Sequence, residues 1–306
     1  MRSGGPSTTM KTAAVQAPSK IQHILFATDF SSAAASAVPY VKKLAKHYEA
    51  DIFAFHVRPP VVNPMTRPAA WSVDMEFAKM QDQEHRRQLL ETFRGIPTKV
   101  LIEEGDIASE LKNAIEKNNV DLVVLGTHGR SGLGKLLLGS IAKEIFRTTE
   151  CPVLTVGPHS EAIRDSKGEI REILFATDFA SESKAPAAYA VSLAQEFQAR
   201  LVMLHVIPEA KAGDLVSAHD VTEASQELLR KLVPAEAQAW CKPEYLVQHG
   251  NPAETILKIA QARESDLIVL GVKPETGVPG ASTHLPIATA HKVVSRAVCP
   301  VLTVRS

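Results

Sequence analysis

The chain has 306 residues, enough for about two domains at ~150 residues each. Its content is 45% hydrophobic and 22% charged, ordinary for a soluble globular protein, and no apolar run approaches the ~18 residues of a membrane-spanning helix. With 34 basic and 34 acidic side chains the formal net charge is zero, so bulk electrostatics offers no attraction for nucleic acid or another polyanion.

The opening stretch, "MRSGGPSTTMKTAAVQAPSK", is small and polar with no apolar centre, which predicts a disordered tail over 1–20 rather than a signal peptide. A strand follows near 23–27, "HILFA". The next segment, "SSAAASAVPYVKKLAKHYEA", has apolar residues at three- and four-residue spacing and Ser31 or Ser32 as N-cap, so it predicts a helix. A second strand is expected at 50–57. The long connection "RPPVVNPMTRPAAWSVDMEFA" at 58–78 reads as a lid or an assembly segment. A third strand lies near 98–103. Asp106 then caps a helix with Glu110 near its first turn, where a carboxylate complements the dipole. The fourth strand, 121–125, runs into "GTHGRSGLGKLLLGS". A helix starts at Ser140 and a fifth strand at 152–156.

The pattern then repeats about 149 residues later. "IQHILFATDF" at 21–30 matches "IREILFATDF" at 170–179 in eight of ten positions, and both halves close with "CPVLTV". The period is far longer than that of a solenoid repeat, so a whole domain is duplicated. Strands that are apolar throughout are covered on both faces, and five of them alternating with helices predict a parallel sheet. The expected fold is α/β: two tandem doubly wound domains, each a five-stranded parallel sheet flanked by helices. The boundaries read as 21–157 and 170–306 with a linker at 158–169. Cys151, Cys241 and Cys299 are too few and too scattered for a disulfide framework or a zinc site; buried thiols in a reducing, cytoplasmic compartment fit better.

Ligands of open parallel sheets sit beyond the carboxyl ends of the strands. "ATDFSS", "HVRPP" and the glycine loop all fall there. Glycines at 126, 129, 132 and 134 permit close backbone approach, so main-chain N–H groups can converge on phosphate oxygens. Gly139 and Ser140 place a helix N-terminus beside the same anion, and Arg130 or Lys135 adds charge. Asp29 either accepts from a ribose or base edge or caps the following helix. Neither G-x-x-x-x-G-K-[ST] nor a G-x-G-x-x-G after the first strand is present, which excludes the usual P-loop and dinucleotide sites.

Gly126, Gly129, Gly139 and Ser140 form G-x-x-G-x9-G-[ST]. Together with "ATDFS", "HV" and "CPVLTV", this motif resembles the signature of the universal stress protein family, in tandem form. The resemblance implies ATP with Mg2+ on its phosphates. It implies Asp29 and Val57 at the adenosine, and Gly126, Gly129, Gly139 and Ser140 at the ribose and phosphates. Ala27, Thr28, His128, Arg130 and Ile141 complete the implied nucleotide-binding set. It also implies pairing of domains through their last strands, here within one chain, and a homodimer of tandem chains.

The second half departs from the motif. Asp178 and Val206 match, but Pro274 stands at the second glycine and Ile287–Ala288 replace Gly-Ser, removing an N–H and a hydroxyl. That half is expected to serve mainly as a pairing partner; His284 and His291 are weak as a metal pair. No dedicated base is visible, although His128 could orient a water. The reading is a regulatory ATP-binding protein of stress response. The alternatives are a slow Mg-dependent ATPase and a nucleotide-free interaction scaffold.

Overall fold

The computed structural model describes residues 21–58, 68–127, 145, 149, 151–157, 160, 170–179, 183–208, 218–272 and 287–305. The first half runs β1 (His23–Ala27), α1 (Ser32–Tyr48), β2 (Asp51–Arg58), α2 (Pro68–Thr92), β3 (Thr98–Glu104), α3 (Ile107–Lys117), β4 (Leu122–Gly126) and β5 (Val153–Val156). The second runs β6 (Glu172–Thr177), α4 (Lys184–Phe197), β7 (Arg200–Ile207), α5 (Ala218–Lys231), a 3-10 turn (Ala235–Ala239), β8 (Glu244–His249), α6 (Pro252–Ala262), β9 (Leu267–Val272), α7 (Ile287–Arg296) and β10 (Val301–Arg305).

The strands join in one sheet ordered β3-β2-β1-β4-β5-β10-β9-β6-β7-β8. Every neighbouring pair is parallel except β5 and β10, which meet antiparallel with Leu154 opposite Leu302. This seam unites the halves about an approximate twofold. Two buried hydroxyls stitch it: Thr155 Oγ1 donates to Val301 O at 3.0 Å, and Thr303 Oγ1 to Val153 O at 3.2 Å.

Alternate strand residues point to opposite faces, so an unbroken apolar run feeds two cores. Ile24 and Phe26 of β1 lie in one, with residues of α1, α2, α4 and α5; Leu25 lies in the other, with α3, α6 and α7. Each core includes residues of both halves, which makes the seam part of the hydrophobic interior.

Local sequence accounts for the helix starts. Ser31 Oγ accepts from Ala34 N–H at 3.2 Å, so the cap of α1 is Ser31 rather than Ser32. Asp106 caps α3, accepting from Ser109 N–H at 3.0 Å. The connection expected at 58–78 is shorter than its sequence implied. From Pro68 onward it is already helix α2, with proline at the first helical position, where the missing N–H is no loss. Residues 59–67 lie outside the described residues. The three cysteines are unbridged by disulfides; Cys241 and Cys299 are buried, and burial pushes the Cys151 thiol up to about 12.

Candidate functional site

The site is built on the turn after β1. Thr28 extends the strand by donating its N–H to Phe55 O, and its Oγ1 accepts from Phe30 N–H at 3.0 Å. Asp29 Oδ1 accepts from Ser31 N–H at 2.9 Å, one residue before the capped helix. Phe30 is thereby held at φ 60, a left-handed conformation uncommon outside glycine, Asn and Asp. Of the two roles open for Asp29 in the sequence, helix cap belongs to Ser31. Asp29 instead shapes the turn that feeds it.

The turn is fastened from β2. His56, 8% exposed, donates from Nδ1 to Thr28 O at 2.8 Å. The Phe30 ring meets His56 edge-on at 4.8 Å and stacks on His85 of α2 at 4.1 Å. Val57 follows His56, half-buried, at the end of the strand. Arg58 then pairs with Asp82 of α2 at 3.4 Å and Glu104 of β3 at 2.5 Å, fixing the rim.

Gly126 closes β4 against the same place. A Cβ built there would fall 2.2 Å from Ala33 O and 2.8 Å from Ala34 N. The first turn of α1 therefore rests directly on the glycine, and the close approach, not an unusual φ, is what requires it. Thr127, buried, donates its N–H to Val156 O at 3.1 Å. β1 pairs with β2 on one side and β4 on the other, and the connections diverge between them. Thr28, Asp29, the α1 N-terminus and Gly126 line that crevice, the switch point where ligands of such sheets bind. Thus Ala27, Thr28, Asp29, Val57 and Gly126 come together at adjacent strand ends. His128, Gly129, Arg130, Lys135, Gly139, Ser140 and Ile141 lie outside the described residues.

The second half repeats the turn. Thr177 Oγ1 accepts from Phe179 N–H at 3.0 Å, Phe179 has φ 59, and His205 Nδ1 donates to Thr177 O at 2.9 Å. Burial lowers the His205 pKa, with Thr177 O and Asp178 opposing. The supporting histidine escaped the sequence reading, which stopped at the valine of "HV". Its signal was available: Thr and His stand 28 residues apart in both halves. Other features differ. Ser183 precedes α4 without a side-chain cap bond, and among the described residues a Cβ on Gly271 would meet only the Pro186 ring, at 3.0 Å. Ile287 and Ala288 open α7; Pro274 and His284 lie outside the described residues. No cluster of three or more His, Cys, Asp or Glu side chains suited to a metal occurs among the described residues, and no helix there is long and apolar enough to cross a membrane.

Two parallel α/β halves fused through an antiparallel seam, each with a Thr-Asp-Phe turn at its switch point, define a tandem Rossmann-like protein. The family model of the universal stress proteins matches residues 20–157 and again 169–305, and the chain belongs to that family, with two copies of its domain. A universal stress protein of Mycolicibacterium smegmatis is 25% identical over 301 residues, covering 92% of this chain and 96% of the relative. One from Methanocaldococcus jannaschii is 31% identical over 137 residues, 44% of this chain and 80% of its own length. Among solved structures, a universal stress protein from Archaeoglobus fulgidus superposes with a TM-score of 0.68 at 19% identity, covering 92% of this chain and 98% of that one, a likeness of fold.

Proposed function

We propose that the protein is a regulatory ATP-binding universal stress protein whose nucleotide is held by the first domain, 21–157, with the second, 170–306, acting mainly as its pairing partner. The observation that carries this reading is the coincidence at one crevice of the Thr28–Asp29 turn, Val57 and Gly126, the first glycine of G-x-x-G-x9-G-[ST]. The residues fit the group chemically. Asp29 and Val57 would meet the adenosine. The backbone N–H groups of the glycine segment, with Ser140 and Arg130, would hold ribose and phosphates. Mg2+ on the phosphates would offset their charge. The bound nucleotide would bias one conformation or partner contact over another. A cytoplasmic location and a dimer of tandem chains belong to the same proposal.

Nucleotide released from purified protein by denaturation and quantified by chromatography tests this, alongside Gly139→Val/Ser140→Ala. About one ATP per chain, lost in the variant, is the expected result. About two per chain would overturn the single-site reading. None, even after incubation with ATP and Mg2+, would overturn nucleotide binding itself.

A further inference from the structure

At the amino ends of its strands, the edge away from the Thr177–Phe179 turn, the second half holds a cleft of about 700 Å3. Glu172 opens β6 at its floor and is 3% exposed. Its Oε2 lies 2.9 Å from Arg200 Nη2 at the start of β7. Its Oε1 stands 4.0 Å from Arg263 Nη1, beyond hydrogen-bond range, and accepts no hydrogen bond among the described residues. Arg263 is committed elsewhere, with its fork closed on Glu244. A buried carboxylate oxygen without a donor is costly, and burial accordingly raises the Glu172 pKa against the pull of both arginines.

The first half has no such arrangement at the matching positions. The register that sets Glu172 beside Arg200 sets His23 beside Asp51, and Lys99 takes the place of Glu244. The C-cap after α3 is Asn118 where α6 has Arg263. The wall is also particular to the second half. Five residues, 93–97, link α2 to β3, whereas twelve, 232–243, link α5 to β8. The extra length forms the 3-10 turn that brings Trp240 and Lys242 to the cleft. The Trp240 side chain is 43% exposed, and Lys242 makes no ion pair among the described residues.

Among the described residues, three kinds of group therefore line one space: a buried acceptor without a donor, an exposed indole, and two cations, Lys242 without an ion pair and Arg200 with one nitrogen on Glu172 Oε2. An ammonium ligand is disfavoured, because Arg200 and Arg263 already crowd the carboxylate with positive charge. We propose that this cleft binds a small planar anion bearing an N–H or O–H donor. The ring lies on Trp240, the anionic group meets Lys242 and Arg200, and the donor satisfies Glu172 Oε1. Nucleoside monophosphates and aromatic hydroxy acids share this chemistry.

The chain has two tryptophans, Trp71 and Trp240, so Trp71→Phe leaves Trp240 as sole reporter. Fluorescence titrations with AMP, and separately with 4-hydroxybenzoate, are run in a Gly139→Val/Ser140→Ala background, which removes the proposed first-half nucleotide site from the readout. Saturable change with AMP, or with the aromatic acid, supports the proposal and identifies the source. Lys242→Glu, an exposed change, should then weaken binding at least about tenfold. No saturable change with either ligand to about 10 mM overturns the proposal, as does equal affinity in Lys242→Glu. Melting curves of Glu172→Leu add a further arm: lowered stability with no ligand response in the parent protein marks the cluster as an ion-pair network only, which also overturns it.

Discussion

Replacing Gly126 by alanine isolates the contact on which the first-half site rests. The added methyl would stand 2.2 Å from Ala33 O and 2.5 Å from Ala33 C, where a carbon and a carbonyl oxygen ordinarily keep about 3.3 Å. Both atoms are backbone, so relief requires moving the first turn of α1 by roughly 1 Å from β4. That turn is pinned by the Ser31 cap and the Asp29 bond to Ser31 N–H, which resist the shift. Overpacking costs about 1–3 kcal/mol, and the upper end applies where no side chain can yield. The melting temperature should fall by about 3–5 °C. Gly271→Ala supplies an internal control. Among the described residues its methyl would meet only the Pro186 ring, at 3.0 Å, which can repucker, so a cost below about 1 kcal/mol is expected. Calorimetry of both variants decides the matter. Equal losses would refute the inference that α1 sits on Gly126 by backbone contact.

Two further outcomes follow from described groups. His205 has a folded pKa below its ordinary 6.5, so it contributes stability that is present above that value and lost as pH falls through the lowered one. His205→Gln, which can still donate to Thr177 O, should lose less stability than the parent between pH 7 and pH 5, as read from melting temperature at each pH; parallel curves would contradict this. At the seam, Thr155→Val with Thr303→Val removes both buried hydroxyl bonds to the opposite strand. At about 1 kcal/mol each, the double variant should lose ~2 kcal/mol in urea unfolding, and no change would mean that the bonds are neutral.

The repeated apolar runs made the inner strands legible almost to the residue, because a strand buried on both faces has no polar interruption to blur its ends. Helix starts were legible where a short polar side chain sits at a cap, as at Ser31 and Asp106. The start of α2 was not, because prolines at 59, 60, 64 and 68 give no sign of which one begins the helix. The sequence marks Gly126 as part of a glycine-rich loop, but its contact with Ala33 joins residues 93 apart and leaves no local mark. The Glu172 cluster was invisible for the same reason. Its members open separate strands and cap a helix, and only the sheet register brings them together.

The seam between β5 and β10 has a genetic consequence. Where two identical subunits meet about a twofold axis, any substitution appears twice, and neither copy can change alone. Here the partners share one chain. Their encounter is intramolecular, so association does not depend on expression level. A substitution in one half is therefore met by an unchanged neighbour. Gly139–Ser140 of the first half corresponds in sequence to Ile287–Ala288 of the second, and His23 to Glu172, while the β5–β10 seam holds the two halves together. Duplication within one reading frame lets the two sides of a twofold pair carry different residues while staying joined.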